Sequence, residues 1–517
     1  MSKGKLLAVC VVWLALCGIG AALWRLVVTP AVEEKAQARA QQAEEQAMAA
    51  TSGDLPYKDQ VTIALDSFSG YAVLRSKRFS QLLRQKQIKL NLVDDNADYT
   101  KRLASLKDGR VNMAAFTVDA LIKTSAVSGQ TPATIVALID ETRGADAMLA
   151  YKSVINNVDD LNHPETQFVL TPDSPSETLA RVVMSNFKLD QLPANPFVGA
   201  GDAEDVYQRY RKSQKNSRQI FVLWEPYVSQ ILANKSMHVV VDSSRFTGYI
   251  VDCLVADRDF LVKNSDVAKQ VVEAYFRAMY EYRETERMEQ LVRADAGEDS
   301  AGGDSMDQVT ASKLVSGIAW KNTQENFAHF GLRKTNSVQH LADIIDNITS
   351  VLQRTGAIDS DPTNGQPNKL YFDGLLRQLH ESDFHPGTEG EREQIQESVA
   401  LAPLTERQWN TLQPVGTLSV PTLEFARGRD ALSGRSKHIL DELVQQLNTW
   451  PQYYVIIRGN ASRRGDLEAN KALAKQRASA AERYLTSHGV AAQRIHAVGS
   501  QPSGSSSVSF LLGQQPY

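Results

Sequence analysis

The chain opens with Lys3 and Lys5, then nineteen residues from Leu6 to Trp24 without a charge, then Arg25. As a helix that run reaches about 28 Å, close to the thickness of a bilayer's hydrocarbon core. A secretory signal peptide is the competing reading, because Gly18-Ile19-Gly20-Ala21-Ala22 offers small residues for cleavage. The length of the apolar run, and its continuation through Leu26, Val27 and Val28, favour an uncleaved single-pass anchor in the inner membrane. On either reading the lysines stay inside and the rest of the chain is exported to the periplasm. Glu33 to Ala50 is rich in Ala, Gln and Glu, lacks Pro and Gly, and predicts a polar helical stalk.

From Tyr57 the pattern changes to short apolar runs alternating with helical periods. Val61 to Leu65, Ile88 to Val93 and Val111 to Phe116 read as strands. Tyr71 to Gln87, Tyr99 to Asp108 and Val118 to Ser125 read as helices between and after them. Such alternation implies βαβ units and a mainly parallel sheet, whose ligands sit at the carboxyl ends of the strands. Those ends carry Asp66-Ser67, Thr117, Thr171-Pro172-Asp173-Ser174-Pro175-Ser176-Glu177 and Trp224-Glu225-Pro226-Tyr227. In the third, Ser174 suits an N-cap, Pro175 the first helical position, and Glu177 the reciprocal place in a capping box. Helix starts with hydroxyls cradle anions or polar groups, although each such residue could simply cap its helix. Further on, Ser312 to Asn326 and Val338 to Arg354 read as helices, the acidic Gly- and Ser-rich stretch Asp295 to Asp307 as a mobile loop, and Phe384 to Gln413 as a linker.

At 517 residues the chain is too long for one core, and two or three domains are expected. Three cysteines exclude a disulfide scaffold, and their spacing gives no zinc site. With Cys10 and Cys17 in the anchor, Cys253 is left alone in an oxidising compartment. The net charge of −4 argues against nucleic acid as a partner. Gly416 to Tyr517, however, holds twelve Lys and Arg against seven Asp and Glu, which leaves −9 for the remainder. A basic tail suits an acidic partner, although solvated surface charge distributed by chance gives the same count.

Several of these segments carry a family resemblance. Ile63-Ala64-Leu65 to Gly70-Tyr71, Ala115 to Leu121, Asp140 to Ala147, Ser174-Pro175-Ser176 and Trp224 to Tyr227 resemble periplasmic solute-binding proteins of the nitrate, taurine and sulfonate group, in the same order. The resemblance implies a two-lobed α/β, type II-like binding fold closing on a small polar solute. By that analogy Ser67, Tyr71, Thr117, Glu141, Ser174, Ser176, Trp224 and Glu225 line the cleft. Glu141 could equally pair with Arg143 as structure. The thiamine-pyrimidine synthases share that fold but carry a cysteine-rich stretch and histidines. With only Cys253 and scattered histidines here, no catalysis and no cofactor are expected.

The last hundred residues predict a helix over Ser433 to Asn448, a strand over Tyr453 to Arg458, a helix over Ala478 to Leu485 and a strand near Arg494 to Gly499. Between them, Gly459-Asn460-Ala461-Ser462, Gly465, Asn470, Leu473 and Arg477-Ala478 are similar in residue and spacing to the α+β OmpA-like peptidoglycan-binding domain. That resemblance implies a clamp on the diaminopimelate group of the wall's stem peptide, built from an Asp and an Arg. A zwitterion needs a carboxylate for its ammonium and a guanidinium for its carboxylate. Here Arg477 keeps its place, while Ser462 stands at the Asp position and Ala474 at a later Ser position. Asp466 is a possible substitute acid, and Asn460 and Asn470 complete the candidate wall-binding set.

The expected organisation is an anchor over 1–28, a stalk over 29–55, a solute-binding domain over 56–380, a linker over 381–415 and a wall-binding domain over 416–517. A wall-tethered solute sensor or presenter is the leading expectation. The alternatives are the binding component of an ABC uptake system, with a permease or signalling protein as partner, and a ligandless envelope scaffold.

Overall fold

The computed structural model describes residues 57–517 except 226, 300–305, 336–337, 388–392, 396–400, 427, 461, 500–506 and 516–517. The expected membrane span and stalk lie outside the described residues. Among the described residues no helix is long and apolar enough to cross a membrane.

Three sheets organise the chain. The first has the order β11-β4-β10-β3-β1-β2, with β1 Asp59–Leu65, β2 Ile88–Asp94, β3 Met113–Thr117, β4 Ala133–Thr142, β10 Val251–Asp257 and β11 Ile318–Trp320. All ten residues of β4 and all seven of β10 are buried, because helices cover both faces. The second has the order β7-β6-β8-β5-β9, with β5 Asp146–Tyr151, β6 Gln167–Leu170, β7 Phe197–Gly199, β8 Gln219–Trp224 and β9 Met237–Asp242. Two crossovers, at 143–145 and 243–250, join these sheets into two α/β lobes. The expected parallel pairing holds for β1 with β2 and β3, but β10 runs antiparallel to β3 and β4, and β5 antiparallel to β8 and β9. Both β5 and β10 are strands that follow a crossover, and edge strand β11 also runs antiparallel to β4.

Local chemistry corrects three expected elements. The helix expected over Tyr71 to Gln87 breaks at Ser76, whose extended backbone and hydroxyl, accepting from Phe79 N at 3.1 Å, start a new helix Lys77–Gln85. The helix expected over Ser312 to Asn326 is instead helix Gln308–Ser316, edge strand β11 and helix Thr323–His329, the last opened by an Asn322–Glu325 capping box. Asp295, expected in a loop, lies on helix Thr285–Asp299 and pairs with Arg75.

The third sheet has the order β12-β15-β13-β14, formed by β12 Gln413–Thr417, β13 Tyr454–Gly459, β14 Ile495–Gly499 and β15 Val508–Gln514. Helices Gly434–Asn448 and Leu467–Ser487 pack beside it. The second helix starts eleven residues before the expected Ala478, because Asp466 Oδ1 accepts from Glu468 N and Ala469 N, both at 3.0 Å, and caps it. A β-carbon on Gly459 would lie 2.0 Å from Ala474 O, so only glycine lets that helix approach β13 this closely.

Candidate functional site

At the carboxyl ends of the first lobe's strands, buried polar groups satisfy one another. Arg102 is fully buried and donates from Nε to Asp95 Oδ2 at 2.8 Å, from Nη1 to the Ala115 carbonyl at 2.6 Å and from Nη2 to Asp66 Oδ2 at 3.0 Å. Burial opposes its charge, but Asp95 and Asp66 prevail and push its pKa up. Tyr71 is 1% exposed and donates its hydroxyl to Asp252. Asp252 stands opposite Asp140 across β10 and β4, and burial followed by their mutual repulsion holds the Asp252 carboxyl well above the usual range. Burial likewise raises Asp140, against the pull of Lys321 and a hydrogen bond with Asp252. A β-carbon on Gly70 would meet Asp140 Oδ2 at 2.3 Å, so a glycine there is what admits this carboxyl.

The expected cleft residues are accordingly redistributed. Thr117 is buried and caps the helix Val118–Ser128, accepting from Ala120 N at 3.4 Å. Glu141 is 4% exposed and receives Lys321 Nζ at 2.8 Å, Arg143 Nη2 at 2.9 Å and Gly248 N at 2.7 Å. Burial would raise its pKa, but the two cations and the amide hold it at about 2. Ser176 is fully buried and donates to Asp146 Oδ1 at 2.8 Å. Burial pushes Asp146 up to about 7 against that hydrogen bond. Tyr71, Thr117, Glu141 and Ser176 thus serve the interior rather than an open wall, because each has already met its hydrogen-bonding need within the chain.

The remaining four lie nearer the surface. Ser67 is exposed. Ser174 precedes the helix Pro175–Asn186 as expected, but its hydroxyl donates to Thr171 O at 2.7 Å instead of capping. Glu177 reaches past it to accept from Asp173 N at 2.6 Å, so the expected capping box is not formed. Trp224 packs against the second lobe's smaller apolar cluster. Glu225 accepts from Ser229 N at 3.1 Å and Ser229 Oγ at 2.8 Å.

The lobes also touch across the cleft. Thr178 Oγ1 donates to Asp119 Oδ2 at 2.7 Å, and Lys123 pairs with Asp173 and, at 3.5 Å, with Glu177. Beside the first crossover a cavity of about 260 Å³ remains, lined among others by Arg143, Glu225, Lys313, Ser316 and Gly317. Lys313 Nζ donates to Ser229 Oγ at 2.6 Å and lies 4.0 Å from Glu225 Oε1, and the buried Arg143 Nε has no partner among the described residues. With both signs of charge on its walls, the cavity matches a small polar molecule below drug size. Of the expected cleft residues only Glu225 lines it. Arg143 pairs with Glu141, the structural alternative the sequence offered, whereas Lys313 and Lys321 carry no linear signal because each is remote in sequence from the strand end it serves.

In the C-terminal domain, Asn470 Nδ2 donates to Arg464 O at 2.7 Å and Ser462 O at 3.3 Å, while Ser462 Oγ accepts from Arg464 N at 3.1 Å. Asn460 reaches Ser507 Oγ and Ser509 Oγ on the facing segment. Seven residues past Asn470, about two turns on, Arg477 lies on the same helix face, about 10 Å away. Its Nε donates to Arg429 O at 3.0 Å, Nη2 to Ala426 O at 3.3 Å, and its guanidinium covers Phe425 at 4.9 Å. Asp466 caps its helix through Oδ1 and is otherwise exposed. Ser462, Arg464 and Asn470 thus form one hydrogen-bonded polar corner, while Arg477 rests on the 425–429 segment two turns along the helix.

Residues 424–504 match the OmpA family. The same region is 43% identical over 74 residues to a peptidoglycan-associated lipoprotein of Mesorhizobium japonicum, covering 14% of this chain and 44% of that one. It is 35% identical over 77 residues to that of Pasteurella multocida, covering 15% and 51%. The chain thus spans about half the length of the curated relatives it matches. Among solved structures, the periplasmic aliphatic sulphonate binding protein SsuA from Escherichia coli is 15% identical, covering 67% of this chain and 97% of its own at a TM-score of 0.45. The periplasmic nitrate-binding protein NrtA from Synechocystis is 12% identical, covering 64% and 90% at 0.43.

Proposed function

We propose that this is a non-enzymatic periplasmic protein, anchored in the inner membrane by its N-terminal apolar segment, whose C-terminal domain docks on peptidoglycan. Its two-lobed domain takes a small polar solute at the crossover cavity, which makes the chain a wall-tethered sensor or presenter. One observation supports this most: Gly459 lets the helix close onto its strand, and at that helix's start Ser462, Arg464 and Asn470 meet in one hydrogen-bonded corner, with Arg477 two turns along the same face. The named relatives are peptidoglycan-associated. With Ser462 in place of a carboxylate the corner favours the stem peptide's carboxylate over its ammonium, and affinity falls by roughly ten- to a hundredfold for the lost charge-assisted contact. Co-sedimentation of the full chain with purified sacculi tests this. Wild type pellets weakly and Ser462→Asp more tightly; equal pelleting of the two removes the assignment of position 462.

A second reading, a ligandless scaffold, is favoured by the ion pairs and hydrogen bonds that close the cleft. A thermal-shift screen of small polar metabolites and oxyanions separates the two. A ligand whose effect Lys313→Ala and Glu225→Ala abolish supports the solute site.

A further inference from the structure

The C-terminal domain is not held by a linker alone. Trp450 is fully buried, with its ring 5.4 Å from Phe187 at the end of a second-lobe helix and 5.4 Å from Phe246 in the second crossover. Thr247 N donates to Thr449 O at 2.8 Å, so backbone joins backbone at the hinge itself. On the second lobe, Lys188 N donates to Thr417 O, Ser419 N to Asn186 O, and Gln446 Nε2 to Asn186 Oδ1 at 2.8 Å. Asp159 accepts from Thr417 N at 2.7 Å and Thr417 Oγ1 at 3.0 Å. Across the cleft the two lobes meet through side chains alone at these points: Lys123 with Asp173 and Glu177, Thr178 with Asp119, and Lys313 with Ser229. Asp173 of the Lys123 ion pair is 73% exposed, where water screens most of the attraction.

We propose that lobe 2 carries the C-terminal domain as one rigid body through this surface, so that opening the cleft swings the wall-facing corner relative to lobe 1. The surface fits one partner, the chain's own C-terminal domain, and it covers the crossover that absorbs the rotation. A hinge held by backbone hydrogen bonds and buried aromatics transmits rotation rather than dissipating it in loose loops. That the swung corner faces peptidoglycan rests on the function proposed above; the rigid-body coupling does not.

The test is electron-resonance distance measurement on the full chain carrying Cys10→Ala and Cys17→Ala, with buried Cys253 left in place. Labels go at Val127→Cys in lobe 1, Ala194→Cys in lobe 2 and Lys437→Cys in the C-terminal domain, all exposed. Lys123→Glu, with Asp173→Asn as a milder second variant, releases the cleft. The 127–194 and 127–437 distances then lengthen together by several ångströms, while 194–437 stays narrow and unchanged. The proposal is overturned if 194–437 shifts or broadens with the others, if 127–437 stays fixed while 127–194 lengthens, or if neither variant moves 127–194. Sacculus binding is scored separately, so failure of the wall reading leaves these distances interpretable.

Discussion

Replacing Lys321 by Met leaves the Glu141 carboxylate buried with only Arg143 and one amide for company. Lys321 and Glu141 are each 4% exposed and meet at 2.8 Å, so neither charge has water to fall back on. In the folded chain Glu141 titrates at about 2, against 4.5 for the free side chain. That difference is worth about 3 kcal/mol of stability at neutral pH, in line with the ~3–5 kcal/mol seen when one partner of a buried pair is removed. Because the folded pKa is depressed, the contribution is complete above pH 4.5 and fades as pH falls toward about 2. Urea denaturation followed by circular dichroism at pH 7 and pH 3 reads it. Lys321→Met lowers the midpoint strongly at pH 7 and less at pH 3, and Glu141→Gln does the same. The double variant loses less than the sum of the two, because no lone charge is left. Single losses below about 1 kcal/mol that simply add would refute the reasoning, since a solvated or weakly coupled pair behaves that way.

Three further outcomes follow from other sites. Asp146 titrates at about 7 when folded, so its protonated form stabilises the fold fully below pH 3.8 and that contribution is lost as pH rises toward 7. Asp146→Asn therefore raises the thermal midpoint at pH 8 while changing it little at pH 4. Trp450→Ala removes a fully buried indole at the hinge interface and costs about 3–5 kcal/mol, read as a lower thermal midpoint together with new protease sensitivity near Thr417. Gly459→Ala drives a methyl into the Ala474 carbonyl and costs about 1–3 kcal/mol or more, confined by hydrogen exchange to the C-terminal domain.

The strands of the first lobe were legible because their apolar runs are short, regular and punctuated by helix-capping residues, as at Val61 to Leu65 and Thr117. Ser76 was not, because a hydroxyl inside an amphipathic period looks like any polar position until its backbone turns extended. β11 was hidden for a similar reason: three residues between two helices carry no period, and pairing with β4 alone makes them a strand. In the C-terminal domain the fixed spacing from Gly459 to Arg477 carried the reading, since both residues answer to one helix lying on one strand. The solute-facing role given to Tyr71, Thr117, Glu141 and Ser176 came from their places at strand ends. The partners of Tyr71, Glu141 and Ser176, which are Asp252, Lys321 and Asp146, are brought in by tertiary folding and leave no trace in a linear pattern, whereas Thr117 caps its own helix, a role its place before Val118 already allowed. Trp450 likewise reads as an ordinary helix-end aromatic, and only the docked domain shows it seated at the hinge.

The central claim meets its most direct test in the affinity of the full chain for purified sacculi, compared among wild type, Arg477→Ala and, as a control on the same helix, the largely exposed Arg483→Ala. Loss of a charge-assisted contact predicts a roughly ten- to hundredfold weakening for Arg477→Ala, with no change for Arg483→Ala and an unaltered circular dichroism spectrum in both. Equal pelleting of all three proteins would contradict it.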